Sequence, residues 1–234
     1  DVDLVIEAVL EDMKVKQDIW KNLDKICPSY TVFGTNTSAL PITEMAEVLK
    51  DPGRMIGLHF FNPADRMQLL EVICAKKTSD QTLATSVAFA RAIKKIPIVV
   101  NDGPGFYVSR QLGGLMGGAV FLTADGVDGA LMEEAMVDFG MPMGPATLSD
   151  LTGIDINYHV NRTFEKRLGE RWKVHPLTEV IYRTGCYGRK TGAGYFDYSG
   201  EKPVPNQKVV DAIRQYLRAN NVAPKDVSKQ EVVD

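Results

Sequence analysis

The chain has 234 residues, 44% of them hydrophobic and 24% charged, with a formal net charge of −3; these values fit a soluble globular protein and give no basis for a nucleic-acid partner. No apolar run reaches the roughly 20 residues of a membrane helix, and no basic-then-apolar leader opens the sequence, so no membrane partner is expected. Cys27, Cys74 and Cys186 lack C-x-x-C spacing, which argues against a metal site or a disulfide scaffold and for a reducing, cytoplasmic compartment, each thiol reading as a small buried hydrophobe.

The first strand-like run, Leu4 to Val9, begins almost at once and without an initiator Met, as if the chain started inside a domain. Glu11-Asp12 suits the start of a helix over 13–26, which Pro28 stops. A strand follows over 31–35, and Leu40-Pro41-Ile42-Thr43-Glu44 opens a second helix with Pro in its first turn. Residues 55–60 and 69–74 read as strands, 79–95 as an amphipathic helix and 96–100 as a strand. This alternation predicts an α/β region over 1–100 with a substantially parallel sheet.

After the turn cluster Asn101-Asp102-Gly103-Pro104-Gly105 the pattern becomes helical: 106–124, 129–139, 147–168 and 176–184, a helical region over 101–198. Gly188-Arg-Lys-Thr-Gly-Ala-Gly-Tyr-Phe-Asp197 reads as a turn feeding an extended segment. Residues 199–234 read as a linker, a helix near 209–220 and a polar tail.

His59 stands at a strand end, where α/β sheets place their sites, and Glu71 lies within the next apolar strand. A carboxylate in such a run needs a partner, and an imidazole is the natural one. Bound at one ring nitrogen, the imidazole keeps the other as a general base; on spacing alone a structural histidine with a solvated glutamate stays open. His159 and His175 read as surface or core residues. Ser38, in Asn36-Thr37-Ser38 after a strand, offers a hydroxyl near His59, although such turns are also common caps. No G-x-S-x-G elbow is present, which disfavours a hydrolase. Gly113-Gly114 and Gly117-Gly118 do not form a G-x-G-x-x-G loop and read as sites of close helix packing.

Taken in order, Ile6-Glu7-Ala8 with Glu11 and Lys14-Val15-Lys16, Asn36-Thr37-Ser38, His59-Phe-Phe-Asn62-Pro63, Glu71-Val-Ile73, Asp102-Gly-Pro-Gly-Phe106, Met143-Gly-Pro145 with Asp150, and Gly188-Arg-Lys-Thr-Gly-Ala-Gly-Tyr-Phe196 resemble the 3-hydroxyacyl-CoA dehydrogenase family. The resemblance runs over nearly all of 1–198 and implies the C-terminal half of a Rossmann-like dinucleotide-binding domain, without its glycine loop, followed by an all-α domain. It also implies an exposed strand edge near Leu4–Val9. The end of the chain is similar to the start of a second helical repeat in multifunctional fatty-acid oxidation proteins, so a piece of a longer chain, or a homodimer, is expected.

By position, the resemblance implies NAD-dependent oxidation of an L-3-hydroxyacyl-CoA. His59 would be the base and Glu71 its orienting partner. Ser38 would bond the reacting oxygen and touch the nicotinamide, while Glu11, Lys16 and Asn62 line the nicotinamide side, Asn62 also touching substrate. Where the family has Asn, this chain has Ser109, a shorter substrate contact with one donor in place of two. Two alternatives stand beside this reading: a related gulonate-type hydroxyacid dehydrogenase, and a non-catalytic binding or dimerisation module.

Overall fold

The computed structural model describes residues 2–234. The chain forms two compact units, Asp1–Arg110 and Gln111–Asp234.

In the first unit five strands, β1 (Leu4–Glu7), β2 (Val32–Thr35), β3 (Met55–Phe60), β4 (Leu69–Cys74) and β5 (Ile96–Asn101), form one sheet in that order. β1, β2 and β3 are parallel neighbours, and β4 is parallel to β5, but β3 and β4 run antiparallel. The sheet is thus substantially parallel, as expected, with one antiparallel pairing that makes it mixed. Only residues 61–68 join β3 to β4. A parallel crossover needs a dozen residues or more, so the chain turns straight back. β1 lies at one edge of the sheet, where the exposed edge was expected.

The strands read as near-continuous apolar runs because both faces of the sheet are covered. On one face Phe33, Met55 and Ile73 meet Trp20 of α1 (Met13–Ile26) and Ile42 and Met45 of α2 (Ile42–Ala46). On the other, Val32, Ile56, Leu58, Leu70 and Val72 pack with Ala90 of α3 (Asp80–Ala92). α1 begins where the Asp12 side chain accepts the Val15 N–H. Its buried face carries two charges, each paired: Lys16 with Glu7, and Asp24 with Arg54 at 2.9 Å. Breaking either pair by removing one partner is expected to cost about 3–5 kcal/mol.

α4 (Val108–Ala124) leads into the helical unit, followed by α5 (Gly129–Phe139), α6 (Pro145–Thr152), α7 (Ile154–Leu168), α8 (Pro176–Arg183), α9 (Gln207–Ala219) and α10 (Lys229–Val233). The single helix expected over 147–168 is two, because Gly153 at φ +100° breaks the ladder between α6 and α7. The extended segment after Gly188 is β6 (Phe196–Asp197), which pairs antiparallel with β7 (Val204–Pro205) inside the presumed linker. Ala124, Ile154, Leu177, Ile181 and Val209 form the core of this unit.

Asp150, 1% exposed, organises the Gly188–Phe196 loop: its carboxylate accepts from the N–H groups of Tyr195 (2.8 Å) and Phe196 (2.9 Å) and from the Tyr198 hydroxyl (3.0 Å). Burial still holds this carboxyl above its usual range. The glycine pairs of α4 do not all serve close packing. A Cβ on Gly113 would meet Trp172 at 2.7 Å, but Gly114, Gly117 and Gly118 have nothing within 4 Å. The three cysteines are half-buried and unpaired rather than fully buried. No helix among the described residues is long and apolar enough to cross a membrane.

Candidate active site

His59 and Glu71 are register partners across the β3–β4 ladder and so project from the same face of the sheet. His59 Nδ1 lies 2.7 Å from Glu71 Oε2, with the glutamate fully buried and the histidine 7% exposed. The second carboxylate oxygen accepts the backbone N–H groups of Tyr107 (3.0 Å) and Val108 (2.9 Å), at the start of α4. Both oxygens are thus partnered, which offsets the cost of burying the group. With Nδ1 held by a carboxylate, the tautomer presents Nε2 as the accepting nitrogen, and Nε2 makes no hydrogen bond among the described residues. The imidazole is flanked by Phe61 at 4.6 Å and Phe106 at 5.9 Å between ring centroids.

The turn carrying Ser38 lies beside this pair because β2 neighbours β3, and Asn36 Oδ1 accepts the Phe60 N–H at 2.8 Å, tying the two strand ends together. Glu11 fixes the turn: its Oε1 accepts from the Thr37 hydroxyl at 2.5 Å, from Ser38 N–H at 3.0 Å and from Ala39 N–H at 3.3 Å. The Ser38 side chain is left exposed and without a hydrogen-bond partner among the described residues.

Lys16 does not present its ammonium to solvent. At 1% exposure its Nζ lies 2.5 Å from Glu7 Oε1, 3.2 Å from the Val9 carbonyl and 3.4 Å from Glu11 Oε2. It reaches the Ser38 turn through Glu11. Asn62 is exposed on the loop after β3, a loop held by Lys95, whose ammonium donates to the carbonyls of Ala64 (2.5 Å) and Met67 (2.7 Å). Ser109 is half-buried in the first turn of α4, next to the N–H that reaches Glu71.

Sequence reasoning gave Glu7, Asn36 and Phe106 no role of their own. Glu7 was open to the argument applied to Glu71, since it too is a carboxylate in an apolar strand; its oxygens are taken by Lys16, Val9 N–H and the Thr35 hydroxyl. Nothing in the sequence announces the ring contact of Phe106. Within the helical unit His175 caps α8, its Nδ1 accepting the Leu177 N–H at 3.2 Å, and His159 lies among Tyr158 and Tyr182.

A sheet covered by helices on both faces, with polar groups gathered beyond the carboxyl ends of adjacent parallel strands, defines a Rossmann-like, dinucleotide-binding class of protein. The family models for the 3-hydroxyacyl-CoA dehydrogenase NAD-binding domain and C-terminal domain match residues 1–103 and 105–198. The chain is 43% identical over 211 residues to a fatty acid oxidation complex subunit alpha of Shewanella loihica, a match covering 90% of this chain. It spans 30% of the length of that relative. Among solved structures it is similar to (S)-3-hydroxybutyryl-CoA dehydrogenase PaaH1 of Ralstonia eutropha, at 34% identity and a TM-score of 0.81 over 85% of this chain and 71% of that one. FadB2 of M. tuberculosis is similar at 33% identity and a TM-score of 0.80, over 85% of this chain and 72% of that one. The chain belongs to the 3-hydroxyacyl-CoA dehydrogenase family.

Proposed function

We propose that the chain carries the proton-transfer centre of an NAD-dependent oxidation of L-3-hydroxyacyl-CoA to 3-oxoacyl-CoA, working in the cytoplasm. The observation that carries this reading is the 2.7 Å His59 Nδ1–Glu71 Oε2 contact, with Nε2 left free of protein partners. Nε2 accepts the proton of the substrate's 3-hydroxyl while the Glu71 carboxylate stabilises the resulting imidazolium. Ser38, exposed and unpartnered, bonds the reacting oxygen. Ser109 donates one hydrogen bond to the substrate, with a bridging water filling the reach of a longer amide.

The donor set fits the nicotinamide end of the cofactor: the exposed Ser38 hydroxyl, the Asn62 amide and the partly exposed Glu11 carboxylate suit a carboxamide and ribose hydroxyls. Bound NAD supplies the hydride acceptor. Lys16 serves here by holding Glu11.

α4 supports a partner role for the helical unit. It is apolar around most of its circumference, yet only Ala124 is buried. A helix apolar all round belongs in an interior. The face of Gly114, Gly118 and Phe121 is read as meeting a second helical unit, in another copy of the chain or elsewhere in a larger assembly.

The test is His59→Gln, assayed with 3-hydroxyacyl-CoA thioesters and with free hydroxy acids. A loss of at least about 10²-fold in kcat on the thioesters is expected. Retained activity, or a preference for free hydroxy acids, would overturn the assignment.

A further inference from the structure

The pairing of His59 with Glu71 leaves a costly feature beside it unexplained. Gly105 and Phe106 both have left-handed backbones, at φ +69° and +50°. That conformation is free for glycine but strained for a bulky aromatic residue, and such strain persists only where the surroundings over-determine it.

Two things follow from the turn. First, it drives the Phe106 ring, 4% exposed, into the core cluster of Trp20, Phe33 and Met45, where its centroid lies 5.9 Å from the His59 imidazole on a tilt of 58°. Phe61 flanks the same imidazole at 4.6 Å. Second, it redirects the chain so that the next two N–H groups, of Tyr107 and Val108, converge on Glu71 Oε1 at 3.0 and 2.9 Å. An extended backbone at residue 106 would forfeit the ring contact or the convergence. The left-handed one secures both, on the two members of one pair.

We propose that Phe106 is the positioning residue of the His59–Glu71 pair: its ring limits rotation of the imidazole, and its backbone conformation holds Glu71 with Oε2 aimed at Nδ1. Its effect on turnover rests on the function proposed above; its effect on the imidazole does not.

The experiment uses Phe106→Gly, which keeps the left-handed backbone accessible and deletes the ring, and Phe106→Leu, which keeps apolar bulk without a flat face. The first readout is the solvent exchange of the His59 Nδ1 proton, followed by NMR on protein labelled with 15N at histidine. Wild type should show a slowly exchanging proton, with exchange about tenfold or more faster in Phe106→Gly and intermediate in Phe106→Leu. The second is steady-state kinetics: kcat should fall about 10- to 100-fold in Phe106→Gly with KM for the acyl-CoA little changed. A residue that only stabilised the fold would reduce the folded fraction and leave the imidazole proton of the folded molecules as it was. Unchanged exchange in folded Phe106→Gly overturns the proposal; should that variant not fold, unchanged exchange in Phe106→Leu does so. Altered exchange in a protein whose wild type oxidises no 3-hydroxyacyl-CoA would leave this inference standing and remove the proposed function.

Discussion

Glu71 serves three partners at once, and its conservative replacement is correspondingly informative. In Glu71→Gln one side-chain oxygen must answer both the imidazole and the Tyr107 and Val108 N–H groups, and the amide nitrogen then faces a donor. We expect kcat to fall at least about 10²-fold, because the imidazole loses the carboxylate that sets its tautomer. A loss below about threefold would show that Glu71 is structural. Ser109 is the opposite case, a short residue where the family resemblance implies a longer Asn. Ser109→Ala should lower kcat/KM for the thioester about tenfold through the loss of one donor, and Ser109→Asn should restore or exceed the wild-type value. The His59–Glu71 pair was legible in the sequence because a lone carboxylate in an apolar strand demands a cation or donor. The enclosure of Lys16 was not legible: helical periodicity places it on the face that also bears Trp20, but only the tertiary position of Glu7 shows that a charge can be buried there.

Elements break or start where local chemistry dictates, and some of those signals are short enough to miss. Gly153 stands within an otherwise helical pattern, and only its φ of +100° shows that it ends α6 and opens α7. α10 lies where the end of the chain resembles the start of a further helical repeat, and Ser228 and Glu231 open it with a reciprocal capping box whose spacing is plain in the sequence. The α8 cap has a consequence for pH. Desolvation holds His175 below its ordinary value of 6.5, although Asp125 pulls the other way. The folded state therefore binds fewer protons than the unfolded one, and stability is lost as pH falls from about 6.5 toward the lowered value. Protonation would also remove the acceptor for Leu177 N–H. His175→Asn keeps a capping acceptor without titrating, so its melting temperature should change less between pH 7 and 5 than that of wild type. Equal slopes would assign the acid sensitivity to other groups. In the same unit Asp150→Ala strands the Tyr195 and Phe196 N–H groups and the Tyr198 hydroxyl. A loss of about 3 kcal/mol or more is expected in denaturant unfolding.

At the scale of the whole molecule, the glycines of α4 set stability against association. A Cβ at Gly114 or Gly118 meets nothing within 4 Å among the described residues, so Ala at both positions adds helix propensity without a clash in the single chain. Each change should stabilise the isolated protein by about 1 kcal/mol. If this face approaches a second helical unit closely, the same methyl groups obstruct it, and sedimentation should show weaker self-association. Higher melting temperature with unchanged association would place the contact on another face. The alternation of strands and helices was legible because periodicity is a local property. The direction of β4 was legible too, in the shortness of 61–68, but reading it requires counting a loop rather than weighing its composition.

That antiparallel pairing makes His59 and Glu71 a single rung of a ladder, and the rung has a reading frame. Residues inserted within 64–68, past Phe61 and Asn62, lengthen a connection and leave His59 opposite Glu71. One residue inserted between Glu71 and Val72 does the opposite. With Val72–Cys74 kept in register, it sets the inserted residue opposite His59 and turns the carboxylate, now opposite Phe60, to the other face of the sheet. A scan of single-residue insertions would thus divide the hairpin into a permissive arc and a forbidden strand, separating the two without altering either member of the pair.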